Sequence, residues 1–229
     1  MKAVILAGGL GTRLRPLTFS IPKPLVPVNG KPLLDLCIER LAHHSFHELI
    51  FCTGYLSDLI EAFVGDGSKW NIKPHFTKET KALGTAGPIG LIRNIFEANE
   101  DFLLLNGDVV TSLDFAAMMK HHKENKNDIT VGYTNFTYTS PFGIISEKDG
   151  LLFEMKEKPS VDFQINCGIY IINSSMIKLI PQDQFFTAVD LAREGQKIGK
   201  RVGVYYIKEY WHGIENIRDL EKVASDLLT

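Results

Sequence analysis

Residues 1–27 read MKAVILAGGLGTRLRPLTFSIPKPLVP, and the rest of the chain is interpreted from this stretch. An apolar run, Ala3 to Ala7, leads directly into Gly8-Gly9-Leu10-Gly11-Thr12-Arg13, and Lys23 follows between Pro22 and Pro24. Three glycines behind a buried strand let backbone N–H groups approach a ligand and form a concave nest for anionic oxygens. Arg13 and Lys23 add fixed positive charge, and the combination points to a triphosphate site. The loop is neither G-x-G-x-x-G nor a Walker A sequence, which disfavours a dinucleotide or ordinary P-loop reading. The plainer alternative is a glycine turn that serves chain geometry only.

Outward from this loop, strand and helix patterns alternate. Residues 2–7 form a strand, Pro32 to His44 a helix, Glu48 to Thr53 a strand and Tyr55 to Val64 a helix. Ile72 to Thr77 follows as a strand, Pro88 to Phe96 as a helix and Phe102 to Leu105 as a buried strand ending at Asn106-Gly107-Asp108. Such alternation predicts a parallel sheet covered by helices, with ligands at the carboxyl ends of the strands. The glycine loop and Asp108 are therefore expected on one rim. The second half is richer in strands: Ile129–Tyr133, Phe142–Ser146, Leu151–Lys156 and Gln164–Ile172, with helices near Ala188–Gln196 and Asp219–Leu228. The expectation is a single domain over 1–229, with a nucleotide-binding half (1–110) and a substrate-facing half (111–229). No linker or internal repeat separates them.

Composition narrows the function classes. A chain of 229 residues with 45% hydrophobic and 23% charged residues suits a globular protein with one sizeable core. The formal net charge is −2 and no Lys/Arg run reaches five residues, which argues against a general nucleic-acid or membrane-surface binder. Cys37, Cys52 and Cys167 are odd in number and widely spaced, so buried free thiols fit better than disulfides or zinc. No signal peptide or transmembrane stretch is recognisable, and a cytoplasmic location is expected.

Several residues could carry chemistry. Flanking prolines would hold Lys23 in an extended segment, placing its charge against a phosphate. Asp108, at the end of a buried strand, is suited to hold Mg²⁺ against phosphate oxygens, or else to cap a turn. Gly84 and Thr85, in Leu83-Gly84-Thr85-Ala86-Gly87-Pro88, allow close approach to a flat base or simply start a helix. Glu157 could accept sugar hydroxyls and Lys158 pair with a phosphate, or the two form a surface charge pair. Asn166, in an otherwise apolar strand, needs a partner from backbone or ligand. Histidines 43, 44, 47, 121 and 122 show no metal-binding spacing and read as solvated or structural.

Taken together, LAGGLGTRLRPLT, PKPLVPV, LGTAGP, LLLNGDV, the EKP triplet and INCGIYII occur in an order that resembles the sugar-1-phosphate nucleotidyltransferases across nearly the whole chain. The LGTAGP stretch looks most like mannose-1-phosphate and heptose-1-phosphate guanylyltransferases. The resemblance implies a Rossmann-like α/β fold, a three-layer sandwich with a mostly parallel mixed sheet. It also implies Mg²⁺-dependent transfer of a nucleoside monophosphate from an NTP to a sugar-1-phosphate, with GTP favoured. Longer members carry a C-terminal β-helix, which this chain is expected to lack. The nucleotide would be held by Leu6, Ala7, Gly8, Gly9, Gly11, Thr12, Arg13, Lys23, Gly84 and Thr85. Arg13, Lys23 and Asp108 would be catalytic, and Gly143, Glu157, Lys158 and Asn166 would contact the sugar phosphate. NTP and sugar-1-phosphate are the expected partners, with no nucleic acid and no membrane, and a homodimer is left open.

One departure stands out. The family's W-x-D-[IV]-G reads Trp211-His212-Gly213-Ile214-Glu215 here, so a glycine occupies the usual metal aspartate position. Glu215 is the expected replacement, beside Asp108, as metal ligand. A resemblance of this segment to cytidylyltransferases leaves CTP- or UTP/dTTP-dependent enzymes as alternatives. Gly213 also leaves open a catalytically silent paralogue that binds nucleotide-sugars and regulates a partner.

Overall fold

The opening apolar run forms strand β1 (Lys2–Ala7) in a computed structural model that describes residues 1–228. Ala3, Ile5 and Ala7 of β1 face one core and Val4 the other. A strand with two apolar faces belongs inside a sheet covered on both sides. The short strands β2 (Pro27–Val28) and β3 (Lys31–Pro32) lead into helix α1 (Leu33–His43). β4 (Glu48–Thr53), α2 (Ser57–Val64), β5 (Lys73–Lys78) and β6 (Asp101–Asn106) follow. Next come β7 (Val109–Thr111), α3 (Phe115–Glu124), β8 (Ile129–Thr139), β9 (Ile144–Lys148), β10 (Leu151–Lys156) and β11 (Ser160–Asn173). α4 (Ala188–Lys197), β12 (Val202–Tyr206), β13 (Trp211–Gly213) and α5 (Ile217–Asp226) complete the chain.

Seven strands form one sheet in the order β12-β8-β11-β6-β1-β4-β5. β1 pairs in parallel with β4 and β6, β4 with β5, and β12 with β8. β11 runs antiparallel to both β6 and β8, so the sheet is mixed and mostly parallel. Ile38 and Leu41 of α1, Ile60 of α2 and Met118 of α3 pack on one face. Leu191 of α4 and Met176 pack on the other, giving the α/β Rossmann-like three-layer sandwich. Helix starts are chemically fixed: reciprocal side-chain and backbone bonds join Thr187 to Asp190 and Asn216 to Asp219. No helix among the described residues is long and apolar enough to cross a membrane.

The structure corrects the sequence reading in several places. Pro88–Phe96 is not an α-helix: Gly87–Ile95 forms 3₁₀ turns broken at Ile92 (φ −114°, ψ 21°). Gly90 weakens helix there, and the Arg93 Nε–H donates to the Gly90 carbonyl at 3.1 Å, an acceptor an α-helix would have used. Helix α2 starts at Ser57, because Leu56 lies in the left-handed region. Helix α3 escaped notice because buried His122 stands where an apolar residue would complete its stripe; a 2.8 Å hydrogen bond with Thr130 Oγ1 satisfies its Nδ1. β12 and the short pair β7–β13 also carry no clear alternation. The three cysteines are buried and free, and burial pushes the thiols of Cys37 and Cys167 up to about 12.

The largest difference concerns β8 and β11, which run well beyond Ile129–Tyr133 and Gln164–Ile172. Their outer segments, 134–139 and 160–165, pair only with each other; β12 reaches β8 only as far as Tyr133, and β6 pairs with β11 only from Ile169 onward. The hairpin β9–β10 sits on the far end. Residues 134–166 thus form an arm that leaves the sheet, with Ser140 the single buried residue along it.

Candidate active site

β1, β5 and β6 end on one rim of the sheet, and a cavity of about 430 Å³ opens there. The glycine loop after β1 forms one wall. Gly11 sits at φ 59°, where a Cβ would stand 2.9 Å from Thr18 Cγ2. Thr18, itself buried, donates its hydroxyl to the Gly11 carbonyl at 2.7 Å and pins the turn. Leu6, Ala7, Gly8 and Gly9 line the cavity with Gly11, and Thr12 and Arg13 continue its edge in a 3₁₀ turn.

Lys23 also lines the cavity, but not from an extended segment. Pro22 is extended, while Lys23 opens a 3₁₀ turn, Lys23–Leu25, with Pro24 in its first turn. The fixed φ and missing N–H of proline suit that position, so the rigidity expected of the segment has a helical origin. The Lys23 ammonium pairs with Asp108, and both side chains are mostly buried, 14% and 26% exposed. Arg13 pairs with Glu215 at the open mouth, where both are exposed and the contact holds weakly.

The chain brings Glu215 to this place through the pairing of β7 with β13. Gly213 lies opposite Val109, and the Ile214 N–H donates to the Asp108 carbonyl at 2.9 Å. Glu215, two residues beyond Gly213, therefore lines the same cavity as Asp108. Two carboxylates facing one cavity match Mg²⁺, which takes one or two from a protein and fills its shell with substrate phosphates and water. No group of three or more His, Cys, Asp or Glu able to hold a metal exists among the described residues.

Gly84 and Thr85 also line the cavity. The Thr85 hydroxyl accepts the Ala188 N–H at 2.8 Å, so that side chain also fixes the start of α4. Glu79, a residue without a sequence motif of its own, lines the cavity as well. It follows β5 directly; its Oε2 accepts the Leu83 N–H at 3.0 Å, and a Cβ on Gly8 would stand 2.6 Å from its Oε1. Burial pushes the Glu79 carboxyl above its ordinary value. Its signal was an acidic residue at a strand end just before Gly84-Thr85. Asn106 and Phe185 are further lining residues not anticipated.

Gly143, Glu157, Lys158 and Asn166 are absent from the cavity wall. The first three lie on the arm: a Cβ on Gly143 would stand 3.1 Å from Glu157 Oε2, and Lys158 turns the chain at φ 41° between β10 and β11. Asn166 lies at the arm's base and finds its partners within the chain. It donates to the Tyr170 hydroxyl and accepts the Gly168 N–H at 2.9 Å.

Comparison with known proteins places this arrangement. A family model described as nucleotidyl transferase matches residues 2–229. The mannose-1-phosphate guanylyltransferase catalytic subunit beta of Xenopus tropicalis is 36% identical over 208 residues, 86% of this chain. The chain spans about half the length of the curated relatives it matches, 57% in that case. The structure of HddC from Yersinia pseudotuberculosis complexed with GMP-PN superposes with a TM-score of 0.77, at 27% identity, covering 99% of both chains. The inositol-1-phosphate CTP transferase of T. maritima, at 19% identity and a TM-score of 0.73, covers 98% of this chain and 93% of its own, and shares the fold. The chain belongs to the nucleotidyl transferase family.

Proposed function

We propose that this protein transfers a nucleoside monophosphate from an NTP, GTP in preference, to a sugar-1-phosphate, a hexose or heptose, releasing pyrophosphate. The observation that carries the reading is the meeting of the glycine loop, the Lys23–Asp108 pair and the Arg13–Glu215 pair in one cavity at the strand ends.

The loop N–H groups and Thr12 hold the triphosphate. Arg13 and Lys23 turn from their carboxylates to phosphate oxygens and stabilise charge on the α-phosphate and the departing pyrophosphate. Asp108 and Glu215, so released, would hold Mg²⁺, which when bound supplies charge neutralisation across the phosphates. A sugar-phosphate oxygen attacks the α-phosphorus in line; a P–O bond forms, the α–β anhydride bond breaks, and its electron pair leaves with pyrophosphate. No protein nucleophile or strong base is required, because a phosphate monoester is already ionised near pH 7. Positioning and charge stabilisation supply the rate. On the acceptor side, Lys158 pairs with the sugar's phosphate, while Glu157, Asn166 and the Gly143 backbone contact the sugar.

Glu79 supports the preference for GTP. Beside Gly8, in the cavity that Gly84 also lines, a carboxylate can accept both the N1–H and an N2–H of guanine, donors that cytosine and thymine do not present together. The guanylyltransferase relatives and the GMP-PN complex of HddC point the same way.

The test is a matrix of GTP, CTP, UTP, dTTP and ATP against several hexose- and heptose-1-phosphates, read by Mg²⁺-dependent pyrophosphate release. Release with GTP and one sugar phosphate is expected. Strongest release with CTP, UTP or dTTP would overturn the base assignment. Gly213 favours a second reading, a silent paralogue; nucleotide-sugar binding without pyrophosphate release from any pair would establish that instead.

A further inference from the structure

A second groove, of about 500 Å³, opens at the far end of β6 from the cavity already described. Asn106, which ends β6, lines the first cavity, and Asp101, which starts it, lines this one. Lys123 and Lys126 line the groove from the end of α3, and Lys178 from the 3₁₀ segment Ser174–Leu179. None of these three exposed lysines has an ion pair or hydrogen bond among the described residues. Lysines at the end of α3 suit the helix dipole, but Lys178 comes from a separate element and converges on the same groove. The carboxylates beside them are already engaged. Asp128 accepts the Lys200 ammonium at 2.9 Å and the Arg201 N–H at 2.8 Å, and Asp101 accepts an Asn173 side-chain N–H at 2.8 Å. With Lys200 and Asp128 paired, the three free ammonium groups face the single carboxylate of Asp101, in a chain whose net charge is −2.

The floor carries a second, independent observation. His122 is 1% exposed and lines the groove, and its Nε2 has no hydrogen-bond partner among the described residues. Its Nδ1 lies 2.8 Å from Thr130 Oγ1, which accepts an Asn127 amide N–H at 2.9 Å. The hydroxyl hydrogen then goes to Nδ1, and the neutral ring carries its proton on Nε2. Burial favours that neutral form. Asp101 Oδ1 stands 3.4 Å from Nε2, out of line for a hydrogen bond. A buried donor left unpaired is costly, and one at the floor of a cationic groove calls for an acceptor from outside the chain. We infer that this groove binds a phosphate monoester of a polyhydroxylated molecule, a sugar phosphate in chemical class, independently of the first cavity. Phosphate oxygens are acceptors only; they take the ammonium groups of Lys123, Lys126 and Lys178, and one takes the His122 Nε2–H as the Asp101 carboxyl turns toward Asn173. A monoester carries close to two negative charges near pH 7, the sign and size this groove lacks. The Ser175 hydroxyl and the Asn99 side-chain amide line the same groove without a hydrogen bond of their own and meet the sugar hydroxyls. The volume exceeds that of a phosphate alone and lies in the range of small-molecule sites. Nothing in this inference requires the transferase reading.

Histidine-ring NMR of the whole chain, with the His122 signal assigned by through-bond correlation to its backbone, tests the site. Glucose 6-phosphate shifts the His122 Nε2 resonance with a dissociation constant of about 1 mM or less. The double variant Lys123→Ala/Lys178→Ala, at exposed positions, raises that constant about tenfold or more. Lys23→Ala, in the first cavity, leaves it unchanged. A His122 signal that stays still up to about 20 mM ligand, or moves equally in the double variant, overturns the site. Inorganic phosphate is the second probe and binds about tenfold more weakly than the sugar phosphate. Equal affinity for the two overturns the sugar part and leaves a site for free phosphate standing. Absence of pyrophosphate release from any substrate pair bears on the proposed function and leaves the resonance result intact.

Discussion

In β6, Phe102 to Leu105 are 1% exposed or less; in β10, every residue from Leu151 to Lys156 is exposed. Both strands lead to residues assigned to one reaction, Asp108 in the first case and Glu157-Lys158 in the second. The difference follows from what each group must do. Under the proposed reaction, charges around the leaving group act best when fixed in advance, and Lys23 with its partner Asp108 is held beside the end of a strand locked into the core. Under the proposed reaction the groups that would receive the sugar, Glu157 and Lys158, stand instead beside an exposed ribbon.

The contrast breaks first at the cavity floor. Lys23→Ala and Asp108→Asn should each lower turnover about 1,000-fold or more, roughly 4 kcal/mol, in single-turnover assays; near-normal turnover in either would remove the floor from the chemistry. Stability should divide the two regions as sharply. Asp35 is buried and accepts the Trp70 indole N–H at 2.7 Å and the Lys69 ammonium at 2.9 Å. Asp35→Ala should cost about 3 kcal/mol in urea unfolding by stranding the buried indole N–H. Phe153→Glu, at an exposed site, should change monomer stability by less than about 0.5 kcal/mol. Equal losses would show that the arm has a core after all.

Glu79→Gln should lower kcat/KM for GTP by about 100-fold and narrow the gap to other NTPs, since the amide presents a single acceptor oxygen to the base. An unchanged NTP profile would remove Glu79 from base selection. The smallest effect concerns pH. Burial holds His44 and His122 below the ordinary histidine value. The unfolded chain therefore takes up more protons below about pH 6.5, and stability present above that value declines as pH falls. Melting temperature should drop modestly from pH 7 to pH 5, and less in His122→Gln; a flat profile would show that these rings are already charged in the fold.

The cavity at the strand ends was legible because its signals are local. A buried strand emptying into Gly8-Gly9, a lysine between prolines and an aspartate after Leu105 each carry their meaning within a few residues. Glu79 was not legible, because its importance lies in standing beside Gly8, a neighbour distant in sequence. Glu215 was readable as a candidate metal ligand, and the β7–β13 pairing explains how it comes to line the same cavity as Asp108. The arm was the hardest part. Its strands read as ordinary sheet, and nothing in their alternation says that the apolar face is uncovered. His122 hid α3 for a related reason: a polar residue inside the core, its Nδ1 bonded to Thr130, breaks the apolar stripe.

The division between a preformed nucleotide floor and an acceptor arm is tested most directly with Lys158→Ala. Calorimetric GTP affinity and KM for the sugar-1-phosphate would be measured on the same preparation. The account predicts an unchanged GTP affinity and a KM raised at least about tenfold. A variant that loses GTP affinity, or keeps the wild-type KM, would contradict it.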